Sequence, residues 1–367
     1  MHFIHELSEW PNFKWDVTQL TWLIGEVRHQ QGRLLGRMEH LGFDFRNESS
    51  LSTLTEDVVK SSAIEGEFLH PEQVRSSIAR RLGIDTGEVV QVSRDVEGIV
   101  EMMLDATQNY RKPLTAERLF AWHSALFPNG RSGTRKITVG AWRTEASGAM
   151  QVVSGPVGNE RVHFEAPRAD RIESEMTAFL EWFERRHPMD PVMKAAIAHL
   201  WFVTVHPFED GNGRIGRALT DLLLARADGM SERFYSMSAR IEMERKEYYR
   251  HLERSQRGTI DITSWLEWFL NCMLHALTGT DTTLSSVLRK SKIWELANQA
   301  RINERQRKVI TRLLDGFEGN LTSSKYAKLA KCSEDTALRD INALIGGGVL
   351  KLNPGGGRST SYALSNV

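Results

Sequence analysis

Residues His206–Arg217 read HPFEDGNGRIGR, and their chemistry decides how the rest of the chain is read. Gly211-Asn212-Gly213 lets the backbone aim successive N–H groups into one concavity. A helix predicted from about Arg214 to Ala227 follows at once, and its N-terminal dipole favours negative charge there. Arg214 and Arg217 lie three apart, so both guanidinium groups reach one side. This is a phosphate cradle, and it lacks the Gly-Lys-Ser/Thr ending of a Walker loop. Asp210 at its edge suits Mg²⁺, with waters and phosphate oxygens filling the remaining positions. His206 precedes it and, as a neutral imidazole, can accept a proton from an incoming hydroxyl. A base, a metal carboxylate and an anion nest in one short string point to phosphoryl or nucleotidyl transfer.

On both sides of this string the pattern is mainly helical. Asp16 to about Leu41 forms one amphipathic helix, with Leu20, Leu23, Ile24, Val27, Leu34, Leu35 and Met38 at helical spacing. Further helices are predicted at Leu51–Leu69, Pro71–Leu82, Val89–Tyr110 and Thr115–Leu126, the last with Thr115 as N-cap. Arg131–Pro167 changes character: it is rich in Gly, Ser, Thr and Val, and alternates in QVV and RVHF, which predicts a β-hairpin or flap. Helices resume at Arg171–Arg186 and Pro191–Val205, and again at Glu242–Gln256 and Thr263–Thr278. His199, on the helix before the string, is expected in a buried helix–helix hydrogen bond.

The stretch from about Ser286 to Ile293 is expected to join a separate domain. From Leu288 onward there are 14 Lys and Arg against 7 Asp and Glu. Helical patterns at Asn303–Leu314, Ser323–Ala330 and Ser333–Ile345 precede two short strands around a Gly-rich turn. That order predicts a winged helix-turn-helix. Its supposed recognition helix starts SEDTALRD, which is poor chemistry for reading base edges. Protein contact and DNA contact both remain open for it.

The whole chain has 367 residues, with 47 Lys and Arg balancing 47 Asp and Glu. That excludes a global polycation built for nucleic acid. The two cysteines, Cys272 and Cys332, are too few for a disulfide framework or a four-thiolate zinc site. The opening MHFIHELSEWPNF is not a signal peptide, and no run is apolar enough for a membrane span. A cytoplasmic protein with no membrane partner is expected.

The string HPFEDGNGRIGR matches the Fic family motif, HPFx(D/E)GNGRxxR, at every defined position. The chain also resembles that family in its WPxFxWD opening. The resemblance covers roughly Val89–Thr278 and implies transfer of AMP from ATP to a Ser, Thr or Tyr hydroxyl of a target protein. In that scheme His206 is the base and Asp210 holds Mg²⁺. Gly211, Asn212, Gly213, Arg214, Ile215, Gly216 and Arg217 surround the nucleotide, the Asn212 side chain assists at phosphate, and Arg217 takes the γ-phosphate. Gln151–Gly155 would be the flap that docks an extended target segment, with Val152, Val153 and Ser154 bordering the nucleotide. Tyr248 and Gln256 would lie near adenine.

Ser61–Gly66 fits the family's inhibitory pattern (S/T)xxxE(G/N), which implies that Glu65 pairs with Arg217 and displaces the γ-phosphate. The expected architecture is therefore a mainly α, Fic-type helical core with a β-hairpin flap and a small C-terminal winged helix-turn-helix domain. The expected domains are 1–88 with the inhibitory motif, 89–285 as catalytic core and 286–367 as winged helix. The same site could instead remove AMP from a modified protein, and an ATP-sensing DNA-binding regulator is a third reading. Relatives often pair, so a homodimer is compatible with the resemblance.

Overall fold

The structure is a computed structural model that describes residues 2–39, 42–84, 90–154, 161–314, 317, 319–354 and 360–366. The chain divides into two compact units, Met1–Thr280 and Asp281–Val367.

Unit 1 is built around α7 (Pro191–Val205), whose sequence PVMKAAIAHLWFVTV is apolar on nearly every face. Such a helix can only be a central one. Asp190 caps it by accepting from the Val192 N–H at 2.8 Å, and Pro191 sits at the first helical position. α7 packs along α8 (Asn212–Asp228), and the turn between them carries the motif. Around this pair lie α1 (Val17–Glu39), α2 (Phe43–Ile64), α3 (Pro71–Leu82), α4 (Arg94–Gln108), α5 (Ala116–Leu126) and α6 (Ile172–Glu184). They are completed by α9 (Met237–Met243), α10 (Arg245–Gln256) and the first part of α11 (Thr263–Gln299). α1 turns Leu20, Leu23, Val27, Leu34 and Met38 inward, as its spacing predicts. Trp10 and Phe13 from the opening segment meet Trp201 of α7 edge-on.

Several boundaries follow local chemistry that the pattern reveals. Thr115 caps α5 through the Arg118 N–H at 3.2 Å. Ser93 caps α4, which starts later than the expected Val89. α2 begins at Phe43, well before the expected Leu51, and ends at Ile64, where Glu65 is the C-cap and Gly66 has φ +86°. The expected helix Glu242–Gln256 is two helices that meet at Glu244.

The expected β region is two antiparallel hairpins: β1 (Arg131–Ser132) with β2 (Arg135–Lys136), and β3 (Gln151–Ser154) with β4 (Arg161–Glu165). Gln151 pairs with Glu165 and Val152 with Phe164, and a register shift follows Val152. β4 is anchored inward by Phe164 and by Arg257, whose Nε donates to the His163 carbonyl at 2.7 Å. β3 pairs with β4 alone among the described strands, and Val152 and Val153 are exposed. Gly155, the last residue of the expected flap, lies outside the described residues.

Residues 1–88 fall within unit 1. α2 packs on α9, α3 and α8, and α3 packs on α4, so the N-terminal helices share the interior of unit 1. The division between the two units falls at Thr280 and Asp281, a little before the expected Ser286–Ile293 stretch. α11 continues to Gln299 because DTTLSSVL after Thr280 holds neither Pro nor Gly to stop it.

Unit 2 holds α12 (Glu304–Leu314), α13 (Ser323–Ala330), α14 (Glu334–Gly346) and an antiparallel pair, β5 (Leu350–Leu352) with β6 (Tyr362–Leu364). Thr322 and Ser333 cap α13 and α14. Its core joins Ile293 and Ala297 of α11 to Val309, Ile310, Tyr326, Ile341 and Val349. Among the described residues no helix is long and apolar enough to cross a membrane.

Candidate active site

The turn between α7 and α8 is shaped by two backbone features. His206 ends α7 in the left-handed region, φ 52° and ψ 59°. Gly211 begins α8 with φ +80°, which a side chain rarely adopts, and a Cβ there would lie 2.9 Å from Phe127. Asn212 closes the turn: Phe208 N–H donates to its Oδ1 at 3.0 Å, and its Nδ2 donates to the Phe208 carbonyl at 2.8 Å. Its side chain is thus used inside the loop. His123 stacks on Phe208 at 4.2 Å and accepts the Gly140 N–H.

His206 is half-buried, and its Nδ1 lies 3.3 Å from the Val203 carbonyl. A carbonyl only accepts, so Nδ1 carries the proton and Nε2 keeps its lone pair. Burial pulls its pKa from 6.5 down to about 4. The Val203 hydrogen bond opposes that fall, Arg143 adds to it, and Glu65 and Asp210 oppose it. The ring is neutral at pH 7 and has the protonation state of a base.

α8 opens toward this histidine with first-turn N–H groups that have no intrahelical acceptor. Asp210 stands beside them, partly exposed. Its Oδ2 accepts from Ser132 Oγ and its Oδ1 from the Gly211 N–H at 2.5 Å. The two arginines lie behind. Arg217 is 1% exposed; its Nε donates to Ser61 Oγ at 2.8 Å and its Nη2 to the Ser61 carbonyl at 2.8 Å. The same Nη2 meets Glu65 Oε1 at 2.7 Å. A Cβ on Gly213 would fall 2.0 Å from that Glu65 oxygen, so the bare glycine is what lets the carboxylate reach the helix end. Glu65 therefore sits as an anion on the helix N-terminus and on Arg217 together. Arg214 Nη1 meets Glu67 Oε2 at 2.6 Å. Arg214 Nε and Arg217 Nη1 are buried donors with no hydrogen-bond partner among the described residues.

The remaining expected residues of the core site are buried. Ile215 is fully buried, and Gly216 lies against Val203 of α7. Both belong to the α7–α8 interface, because positions one and two beyond Arg214 rotate away from its face. Tyr248 is 2% exposed. Thr220 Oγ1 donates to the Gly216 carbonyl, so His199 Nδ1 must donate to Thr220 and His199 Nε2 accepts from Tyr248 OH at 2.9 Å. Burial and Arg217 pull the His199 pKa down to about 3, as this neutral relay requires. His199 makes the buried hydrogen bonds expected of it. Gln256 is also buried and donates to Thr204 Oγ1 at 3.3 Å. Tyr249 is the exposed member of the pair, 3.4 Å from the Ile64 carbonyl.

Two site residues escaped sequence reading. Glu67 is visible only as a second acid in EGE, with no spacing rule that aims it at Arg214. Arg143 is buried behind His206, and nothing in its local sequence marks it.

Residues 113–224 match the Fic/DOC family model, and residues 3–84 match a Domain of unknown function (DUF4172). A Nematostella vectensis protein named Protein adenylyltransferase Fic is 30% identical over 135 residues, covering 36% of this chain and 28% of that protein. Its Drosophila virilis namesake is 24% identical over 225 residues, 59% of this chain and 40% of that protein. The chain thus spans well under half the length of these relatives. A Fic family protein from Desulfovibrio desulfuricans G20 superposes with TM-score 0.56 at 22% identity, covering 94% of this chain and 96% of that one. A Fic domain containing signaling protein from Bacteroides thetaiotaomicron gives 0.51 at 17%, over 70% and 96%. Residues 113–224, which hold the motif turn and the helices that frame it, thus match the Fic/DOC family model, and the chain shares a Fic-type helical fold with these structures.

Proposed function

We propose that this chain is a protein adenylyltransferase that moves AMP from ATP to a hydroxyl side chain of a target protein and is restrained by its own Glu65. The observation that carries this is the free Nε2 of His206 beside an anion site that Glu65 already fills. Relatives named protein adenylyltransferase add support from outside the site.

In this reading the hydroxyl oxygen attacks the α-phosphorus of ATP, and its proton passes to His206 Nε2. The bond from the α-phosphorus to the bridging oxygen breaks, and pyrophosphate leaves. The α8 N-terminus, Arg214 and Arg217 hold the phosphates and take up the developing charge. The two unpartnered guanidinium nitrogens are donors ready for phosphate oxygens.

Asp210 would hold Mg²⁺. One partly exposed carboxylate at the rim of an anion site suits an ion that takes most ligands from water and phosphate, and no larger acidic cluster occurs among the described residues. When bound, Mg²⁺ would neutralise charge on the triphosphate. The exposed edge of β3 would pair with an extended target segment. Unit 2, with its three helices and hairpin, is read as a winged helix serving contact with protein more than with DNA.

Glu65 restrains the reaction because Arg217 cannot serve a carboxylate and a phosphate at once, and a second negative charge there repels the triphosphate. The test is intact-mass analysis of the Glu65→Gly protein after incubation with ATP and Mg²⁺. A gain of one AMP mass is expected. No adduct on the protein or on any supplied target would overturn the reading.

A further inference from the structure

Arg143 lies between β2 and β3, is 3% exposed, and has no carboxylate partner among the described residues. All its bonds go to carbonyl oxygens around one turn. Nε donates to the His206 carbonyl at 2.8 Å, and Nη2 donates to Pro167 at 2.5 Å and reaches Val205 at 3.5 Å. Its own N–H donates to the Pro207 carbonyl at 2.9 Å. Val205 is the last residue of α7, His206 is its C-cap and Pro207 follows, so these carbonyls have no acceptor role inside the helix. They are joined by the carbonyl just past β4. A buried cation without a counter-charge is costly, and a neutral side chain would fill the space more cheaply if packing were all that was needed.

His206 is itself in a left-handed conformation, φ 52° and ψ 59°, that is strained for a residue with a side chain. That conformation turns the imidazole so that Nδ1 meets Val203 and Nε2 is left free. We propose that Arg143 is a positioning residue for His206, locking the left-handed turn so that Nε2 faces the acceptor hydroxyl, and tying that turn to the base of the β3–β4 hairpin. Arg143 touches neither nucleotide nor hydroxyl; it acts through the histidine. Its charge also favours the neutral ring. Arg143 itself stays charged at pH 7 although burial lowers its pKa to about 10. The inference rests on the proposed transfer reaction for its kinetic test, but not for its structural one.

The kinetic test uses Glu65→Gly protein with and without Arg143→Gln. Expected is a fall in kcat on the order of 10²-fold, the size of effect that misplacing a reacting group by about 1 Å produces. ATP affinity, measured by calorimetry, should stay within about two-fold, because the loss is confined to the reacting geometry. Arg143→Lys keeps the charge and one donor and should recover part of kcat. It also carries the test if the Gln variant does not fold. Equal losses in kcat and ATP affinity, or no rescue by Lys, would mean that Arg143 merely supports the fold.

The structural test is the nitrogen NMR signature of the His206 ring in nucleotide-free protein. The parent should show Nδ1 protonated, and Arg143→Gln a mixture of tautomers. An unchanged ring in Arg143→Gln overturns the assignment whether or not the enzyme turns over. A Glu65→Gly protein that never transfers AMP, beside a ring that does respond to Arg143, counts against the proposed reaction alone.

Discussion

Unit 1 buries Arg143, Arg217 and Arg233, His123 and His199, and Asp57 and Asp221, whereas the buried polar side chains described in unit 2 are Gln306, Asp340 and Ser361. In unit 1 several of these groups are hydrogen-bonded to one another or to polar groups of other elements. Arg233 bonds Asp228 at 2.9 Å and Asp221 at 3.3 Å, and Asp57 of α2 accepts from Ser236 Oγ and the Ser238 N–H. Unit 2 instead relies on aliphatic packing around Val309, Ile310 and Ile341. Apolar burial supplies stability without direction, while hydrogen-bonded charge fixes where atoms stand. Under the proposed reaction, the polar burial of unit 1 serves to hold a reactive geometry.

The strongest challenge to that contrast is removal of the base. His206→Ala should lower AMP transfer by about 10²–10⁴-fold, the span of general-base contributions, measured with labelled ATP in the Glu65→Gly background. A smaller loss would make the turn a binding feature only. Next comes the restraint. Glu65→Gly should raise self-labelling on the order of 10²-fold, as release of a misplaced α-phosphate implies. No rise would separate the buried ion pair from regulation.

Acid sharpens the comparison further. All twelve histidines precede residue 281. Burial first of all holds His123 and His206 near pKa 4 and His199 near 3. Each folded-state value lies below the unfolded 6.5, so the unfolded chain binds the extra proton. Unit 1 should therefore lose stability as pH falls from 6.5 toward 4, by about 1.4 kcal/mol per pH unit for each imidazole that stays neutral. Hydrogen exchange at pH 7 and 5, corrected for intrinsic rates, should show faster opening in the helices of unit 1, with no imidazole contribution in unit 2. Equal protection at both pH values in α7 and α8 would contradict it.

The smallest expected effect distinguishes the two arginines of the motif. The side chain of Glu65 is 31% exposed against buried Arg217, but that of Glu67 is 50% exposed against Arg214. Solvent weakens the second pair. Glu67→Gln should then raise transfer only about three-fold, in keeping with a pair of under 1 kcal/mol, by the same labelling assay. A rise matching that of Glu65→Gly would make the two acids equal partners.

How much of this is legible in the sequence depends on how local its cause is. α3, α7 and α13 run between the expected residues because Pro, Asp and Thr caps mark their starts. His206, Asp210, Arg214 and Arg217 are found because their chemistry is compressed into one string. The break at Glu244 carries no Gly or Pro, and the start of α2 is marked by Gly42 alone. The inward turn of Tyr248, the internal clamp of Asn212 and the retreat of Ile215 and Gly216 are set by packing across elements far apart in sequence. Arg143 is the extreme case, since its partners are backbone carbonyls of any residue type and no pattern of side chains can announce them.

The carboxylate of Glu65 and the guanidinium of Arg217 lie 152 positions apart on the same chain. Their encounter is unimolecular, so its strength does not depend on how much protein a cell contains. Diluting the sample cannot loosen it, and no accessory subunit is needed to maintain it. What can weaken it is a rival anion of higher local supply or a displacement of the α2 end, and under the proposed restraint a trigger would act through one of these.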